Sequence, residues 1–325
     1  MTGSLSGTVL VTGASVDKRF LDRLRVAGLE VVNPAGSFPP DELSEPALRE
    51  LLSDCGGYLL GGDEKASRSA LAGAHKLKVI SFLGVGYGSY VDVAAASELG
   101  IPVTNTPGVL TNSVAEFAIG ALLAVRRRIV DYIVTPDLEQ EKRSDLYGHP
   151  IGVVGLGAIG TRICEILTKG FRADVRYFSR TRKPDTETAL GITYLPLQKL
   201  IDQVESLVLI VTGTSETTSL INRDLIAARQ TPLSVINVTR PEVIAPDALL
   251  YGLRDGCLES VWFDDYYRDA ADEVMDLRSD PRVRVTPHIA SLTHDARDAM
   301  SAMAVTSLLN VLREGSDAHI VNGIK

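Results

Sequence analysis

The chain has 325 residues, with 33 Lys and Arg against 41 Asp and Glu, a net charge of −8, and 45% hydrophobic and 6% aromatic residues. At about 150 residues per domain this length predicts two domains, each able to bury its own core. The balance argues against disorder, and the acidic surplus argues against nucleic acid or an anionic membrane as partner, because a phosphate backbone rewards clustered positive charge.

No basic residue precedes Lys18, so the N-terminus lacks the charged start of a signal peptide and reads as mature protein. The densest apolar stretch, Phe117 to Val125, is about half of the roughly 18 residues that a membrane span needs. Cys55, Cys164 and Cys257 are far apart and odd in number. They fit neither a disulfide framework nor a zinc cluster, so no metal is expected and a reducing cytoplasm is the expected compartment.

Short apolar runs alternate with helical patterns over the first hundred residues: TVLVTG, KRFLDRLRVAGL, EVVNPAG, ELSEPALRELLSD, GYLLGG, RSALAGAHKL, KVISFLG, VDVAAASELG and IPVTNTPG. Such alternation predicts a parallel α/β layer. The segment NSVAEFAIGALLAVRRR repeats its apolar positions at helical spacing and reads as a crossing helix whose last turn carries Arg126, Arg127 and Arg128. Thr135 to His149 reads as a surface connection. A second alternating series then runs through IGVVG, VRYFSR, ITYLP, SLVLIV, SVINVT, SVWFDD and VRVTPH, which predicts a second doubly wound domain. A closing helix from Arg297 to Arg313 is expected to pack on the first domain.

After IGVV comes GLGAIG, which places Gly155, Gly157 and Gly160 at G-x-G-x-x-G spacing between a strand and a helix. Gly155 permits a tight turn, Gly157 lets the backbone approach a pyrophosphate, and Gly160 allows close helix packing. Ala158 and Ile159 open the helix, whose N-terminus supplies free N–H groups. The plain alternative is a structural glycine turn. At the end of the next strand an Asp or Glu would hold the ribose hydroxyls, but Ser179 stands there, followed by Arg180 and Thr181. Val175 to Lys183 holds Arg176, Arg180, Arg182 and Lys183 with no acid, a candidate pocket for a 2′-phosphate. Two charge-assisted hydrogen bonds of about 1.5–3 kcal/mol each would give NADPH a preference of about two to four orders of magnitude over NADH. A solvated basic turn is the alternative.

Three more segments lie after buried strands: Asn237 to Arg240, Asp264 to Asp269, and Thr286 to Ala290. Ligands of open α/β sheets bind at such strand ends, so a guanidinium, a carboxylate and an imidazole can converge there. Reduction of a 2-oxo acid needs these groups. Arg240 can hold carboxylate and ketone oxygens in one planar fork, His288 can protonate the developing alkoxide, and Asp269 can stabilise the imidazolium. Singly, Arg240 could pair with a surface acid, His288 could be a core histidine and Asp269 could be solvated. His75, His149, His294 and His319 read as surface or packing residues, with His294 the best placed to border the site.

The segments LKVISFLGVGYGSYVDVAAASELGIPVTNTPG, LTNSVAEFAIGALLA, LYGHPIGVVGLGAIG, TSETTSLIN, VINVTR and VTPHIAS resemble, in order, the D-isomer-specific 2-hydroxyacid dehydrogenases, over essentially the whole chain. The resemblance implies a Rossmann nucleotide-binding domain inserted into a discontinuous, flavodoxin-like substrate domain, expected at residues 106–291 and at 1–105 with 292–325. It implies an active site in the cleft and a homodimer formed through the nucleotide domains. The family's catalytic arginine falls on Arg240, its histidine on His288, and its glutamate on Asp269. Its aspartate after the strand falls on Asp264, and Thr111, Thr212 and Val238 line the cofactor. Gly84, Val85 and Gly86 would bind the substrate carboxylate through backbone N–H groups, with Gly61 and Gly62 on the facing loop.

Departures from the family are informative. Asp269 is one methylene shorter than the usual Glu. Pro241 replaces a glycine and biases Arg240 toward an extended backbone. Tyr266, Tyr267 and Arg268 form an expected wall beside the acid, where Arg268 meets either solvent or a second anionic group of the substrate. The lead expectation is an NADPH-dependent reductase of a small anionic 2-oxo acid such as glyoxylate or hydroxypyruvate. The alternatives are a nucleotide-sensing protein like the corepressors of this fold, and a phosphite- or phosphonate-directed dehydrogenase, for which Lys65 stands near the relevant loop.

Overall fold

The computed structural model describes residues 5–13, 16–34, 43–139, 141–268 and 270–324. The chain divides into two compact units, residues 1–109 with 293–325, and residues 110–292.

The first unit is built on β1 (Thr8–Val11), β2 (Glu30–Val32), β3 (Gly57–Leu60), β4 (Ile80–Phe82) and β5 (Val103–Thr104). All pair in parallel in the order β2-β1-β3-β4-β5. The helices between them begin where the sequence supplies short oxygen side chains: Asp17, Ser44, Ser67 and Asp92 each accept a backbone N–H of the first turn. The closing helix, His294–Glu314, belongs to this unit and starts under a Thr293 cap. Its Ala304, Val305 and Leu308 are buried against Val9, Val11 and Leu59, and Ser81 on β4 donates to the Ala304 carbonyl at 2.9 Å. The expected packing of this helix is therefore realised, and it begins three residues earlier than its apolar pattern indicated.

The second unit carries β6 (Pro150–Val154), β7 (Asp174–Phe178), β8 (Thr193–Tyr194), β9 (Ser206–Leu209), β10 (Leu233–Asn237), β11 (Leu258–Asp264) and β12 (Val283–Thr286). They form one parallel sheet in the order β12-β11-β10-β9-β6-β7-β8. The chain winds outward from β6 to β8, returns beside β6 as β9, and winds out the other way. The point between β6 and β9 is where an open α/β sheet opens a crevice for ligands. Two doubly wound parallel-sheet domains, as the alternation of elements predicts, are the observed fold.

The long helix Thr111–Arg126 ends before the expected arginine cluster. Arg127 caps it, and Arg128, at φ +49°, turns the chain into a second short helix, Ile129–Val134. Arg126 does not face solvent at the negative end of the helix dipole. It is buried, donating to Glu205 Oε2 at 3.0 Å, Ser206 Oγ at 3.2 Å and the Asp145 carbonyl at 2.9 Å. A guanidinium has enough donors to tie three acceptors at once, which outweighs a dipole term of about 0.3–1 kcal/mol.

Candidate active site

The glycine turn after β6 is shaped by three different constraints. Gly155 sits at φ +104°, and a Cβ there would overlap the Ile210 carbonyl oxygen beyond β9. A Cβ on Gly160 would overlap the carbonyl oxygen of Gly155, so helix and turn pack backbone to backbone. Gly157 has nothing within 4 Å of the position a Cβ would take. It precedes helix Ala158–Glu165 without any side-chain cap, so the first-turn N–H groups, those of Ala158 and Ile159 among them, have no capping partner. An open backbone beside an uncapped helix N-terminus fits a dinucleotide pyrophosphate.

The basic window after β7 is less free than its composition suggests. Arg176 is held by Asp174 Oδ2 at 2.7 Å and by Gln203 Oε1 at 2.8 Å. Arg182 makes a two-pronged pair with Glu187 at 2.9 and 2.8 Å and lies over the Tyr194 ring. The acids are absent from Val175 to Lys183 but stand just outside it, one residue before on the strand and one turn into the next helix. The expectation of four available cations is thus corrected. Arg180 and Lys183 remain: Lys183 is exposed, and Arg180 is in an exposed pair with Glu216 at 3.0 Å, a contact worth about 0–1 kcal/mol and cheaply exchanged. Beside it Ser179 Oγ donates to the Thr181 carbonyl at 2.7 Å.

Beyond β10, Asn237 organises the turn that presents Arg240. Its Oδ1 accepts the Thr239 N–H at 3.0 Å and hydroxyl at 2.7 Å, while its Nδ2 donates to the Arg240 carbonyl at 2.9 Å. Arg240 is extended, at φ −124° and ψ 142°, as Pro241 dictates. Its guanidinium donates only to the Thr239 carbonyl at 3.2 Å and meets no carboxylate among the described residues. Val238 is buried beside this turn, Thr212 lies on the loop after β9, and Thr111 opens the long helix.

Asp264, 2% exposed at the end of β11, is the anchor of the loop that carries His288. Oδ1 accepts the Thr286 hydroxyl and the Ile289 N–H, and Oδ2 the Ala290 N–H, each at 2.8 Å. The bracketed His288 is held at φ +54°, with its N–H on the Thr286 carbonyl. Its imidazole is exposed and makes no hydrogen bond among the described residues. Asp269, the expected acid partner of His288, lies outside the described residues.

The tyrosine wall is not where the sequence suggested. Asp265, at φ +113°, turns the chain, and Tyr266 and Tyr267, each 4% exposed, enter the core of the unit. Their hydroxyls donate to the carbonyls of Val274 and Ile244, each at 2.7 Å. Burial pushes the Tyr266 phenol up to about 12 and that of Tyr267 well above its ordinary value. These rings support the Asp264 strand by edge-to-face contacts with Phe263 and do not line a surface. Arg268 is exposed.

In the first unit the loop Gly84–Gly86 follows β4. The Gly84 carbonyl accepts the Thr106 N–H at 2.9 Å and the Val85 carbonyl accepts Asn105 Nδ2 at 3.1 Å. The N–H groups of Val85 and Gly86 have no acceptor among the described residues. Two adjacent free donors on a tethered backbone can bind an anion. At Gly62 a Cβ would run into the Glu64 carboxylate, and Glu64 is 5% exposed with Oε2 unpartnered. Lys65 is exposed.

Comparison with known proteins decides the family. A family model described as the NAD binding domain of D-isomer specific 2-hydroxyacid dehydrogenases matches residues 119–290. The glyoxylate reductase of Thermococcus onnurineus is 32% identical over 286 residues, covering 82% of this chain and 83% of that protein. This chain belongs to the D-isomer specific 2-hydroxyacid dehydrogenase family. Among solved structures, a Thermus thermophilus protein superposes with a TM-score of 0.84 at 32% identity, over 97% of this chain and 99% of that one. The NADPH-dependent glyoxylate/hydroxypyruvate reductase of Sinorhizobium meliloti, solved with NADP and malonate, gives 0.81 at 29% identity over 97% and 96%.

As a 2-hydroxyacid dehydrogenase the protein is an oxidoreductase, and 2-oxo acid reduction is its activity. The arrangement suits that chemistry: the glycine turn, the Arg240 turn, Asp264 and the His288 loop all sit at the C-terminal ends of strands in one sheet. The contacts of Asn237, Gly213 and Glu64 escape a reading of the sequence. Asn237 is marked only as the start of the Arg240 segment, and Gly213 and Glu64 stand beside Thr212 and Lys65, but nothing local shows what each of the three meets in the fold.

Proposed function

We propose that this dehydrogenase uses NADPH to reduce a small anionic 2-oxo acid, with glyoxylate and hydroxypyruvate as the leading candidates. The observation that carries the substrate class is the Arg240 guanidinium, held on a rigid turn and paired with no acid among the described residues. A planar fork without a carboxylate partner suits a 2-oxo acid, whose carboxylate and ketone oxygens lie in one plane. Arg240 binds and orients these oxygens, and His288 delivers a proton to the ketone oxygen as charge develops on it. Asp269 is assigned the role of the acid that stabilises the imidazolium. The reduced nicotinamide, when bound, supplies the hydride. The free N–H groups of Val85 and Gly86, with Gly62 and Gly84 in the same unit, complete the substrate-binding set. On this reading residues 106–291 bind nucleotide, and residues 1–105 with 292–325 bind substrate.

NADPH is preferred on two grounds: the strand-end acid that would hold ribose hydroxyls is Ser179, and Arg180 is committed only to an exposed pair. Gly155, Gly157, Ala158, Ile159 and Gly160 hold the pyrophosphate. Thr111, Thr212, Val238 and Asp264 line the remainder, with Thr181 beside the 2′-phosphate. The NADP-bound relative from Sinorhizobium meliloti supports the choice. A cytoplasmic homodimer belongs to the same reading. Ile133 and Val134, 71% and 73% exposed, and Tyr147, 66% exposed, give the nucleotide-binding unit apolar surface for a second copy.

Steady-state kinetics with both cofactors against 2-oxo acids of graded size and charge tests the proposal. Arg240→Ala and His288→Ala are expected to lower kcat/KM about 10³-fold or more, to a residual rate, while NADPH still binds. A protein that binds NADPH and reduces nothing in the panel would support a nucleotide-sensing role instead.

A further inference from the structure

Gly213 stands on the loop after β9, far in sequence from the Arg240 turn. A Cβ on Gly213 would come 2.7 Å from Cγ of Arg240, 3.4 Å from its Cβ and 4.0 Å from its Cδ, and no other atom stands closer. Its φ lies outside the left-handed range. The backbone there would accept any residue, so what a side chain would disturb is the stem of Arg240.

Both sides of this contact are held. On the loop, Thr217 Oγ1 accepts the Thr214 N–H at 2.9 Å and donates to the Thr212 carbonyl at 2.7 Å, which closes the turn around Gly213. On the other side Asn237 and Pro241 fix the Arg240 backbone, so the direction of its Cα–Cβ bond is set. The stem cannot retreat as a whole. A methyl group at position 213 forces it to rotate about its own bonds, and a shift of a few tenths of an ångström at Cγ is enlarged at the guanidinium.

We propose that Gly213 is a positioning residue for substrate binding: its missing side chain is the groove along which the Arg240 stem lies. Asn237 sets where the arginine leaves the backbone, and Gly213 sets where its charged end arrives. The inference rests on the assignment of Arg240 to the substrate.

The test is a double-mutant cycle on the full-length protein with NADPH and glyoxylate. Gly213→Ala is expected to lower kcat/KM about 10²-fold, the loss that follows from misplacing a binding group by about 1 Å, with thermal midpoint and NADPH affinity unchanged. Adding Gly213→Ala to Arg240→Ala is expected to cost nothing more, because the residue acts only through the arginine. Thr217→Val, which loosens the loop without adding an atom, is expected to lower kcat/KM by about 10-fold, and it decides the matter if Gly213→Ala does not fold. A Gly213→Ala enzyme within about 3-fold of wild type, an additive loss in the double variant, or an unaffected Thr217→Val beside an unfolded Gly213→Ala overturns the proposal. If Arg240→Ala itself retains activity near that of wild type, the assignment of Arg240 fails first.

Discussion

Asp264 Oδ2 accepts the Ala290 N–H at 2.8 Å, and this bond closes the loop on which His288 is carried. Together with the Ile289 N–H and the Thr286 hydroxyl on Oδ1, it makes one buried carboxylate the template for a loop containing a left-handed histidine. Hydrogen bonds to a charged group contribute about 1.5–3 kcal/mol each. That is enough to offset the strain of a non-glycine residue at φ +54°, about 1–3 kcal/mol.

Asp264→Asn should therefore loosen the loop. One carboxylate oxygen becomes an NH₂ that faces a donor, so at least one of the three bonds is lost. We expect a stability loss of about 1–3 kcal/mol and a fall in kcat/KM of about 10- to 100-fold. Calorimetry and steady-state kinetics check both; an unchanged enzyme would separate the loop from the carboxylate.

The glycines of the turn should respond differently to the same methyl group. Gly155→Ala combines a positive φ with overlap on the Ile210 carbonyl, and should cost about 3 kcal/mol or more. Gly157→Ala meets open space at φ −79°. It should leave the melting temperature within about 1 °C of wild type while weakening NADPH binding by about 10-fold or more. Melting curves paired with NADPH fluorescence titrations distinguish the two. Loss of fold in Gly157→Ala would count against an open approach to that backbone.

Arg180 should account for most of the cofactor preference. Arg180→Ala is expected to reduce kcat/KM for NADPH by about 10- to 100-fold, the value of one charge-assisted bond, and to leave the NADH value unchanged. Glu216→Gln, which removes the exposed partner of Arg180, should alter either value by less than about 3-fold. An equal fall with both cofactors would assign Arg180 to packing.

The buried phenols set an alkaline limit. Burial raises Tyr266 to about 12, and Tyr58 and Tyr267 also lie above the ordinary phenol value. The folded state then holds protons that the unfolded chain releases above about pH 10. The stability these groups contribute is fully present below about pH 10 and is lost as the pH rises toward and through about 12. Denaturant midpoints measured from about pH 8 to 12 should fall steeply above about 10. Tyr266→Phe, which leaves the Val274 carbonyl without its partner, should cost about 1 kcal/mol at neutral pH and flatten the alkaline slope.

The alternation of strand and helix, the three glycines, the missing acid at Ser179, and the residue types of Arg240 and His288 are legible in the amino-acid order. Each depends on spacing within one short segment, where backbone geometry translates position into direction. The fourfold basic window was misread for the opposite reason. Arg176 and Arg182 find Asp174 and Glu187 outside the window, two residues back on the same strand and one turn into the next helix, and the composition of the window does not record them. Tyr266 and Tyr267 follow Asp264 in sequence, yet the positive φ of Asp265 turns them into the core. A single dihedral angle decided between surface and interior.

By itself, then, the sequence determined two parallel α/β layers, a dinucleotide turn and the chemical groups of a 2-oxo acid reductase, because periodicity and local steric limits act over a few residues. Only the tertiary structure decided which charges are free, that Asp264 templates the histidine loop, and that Gly213 lies under Arg240. The last two relationships join residues on or just beyond different strands, and strand order in the folded sheet brings them within reach of one another.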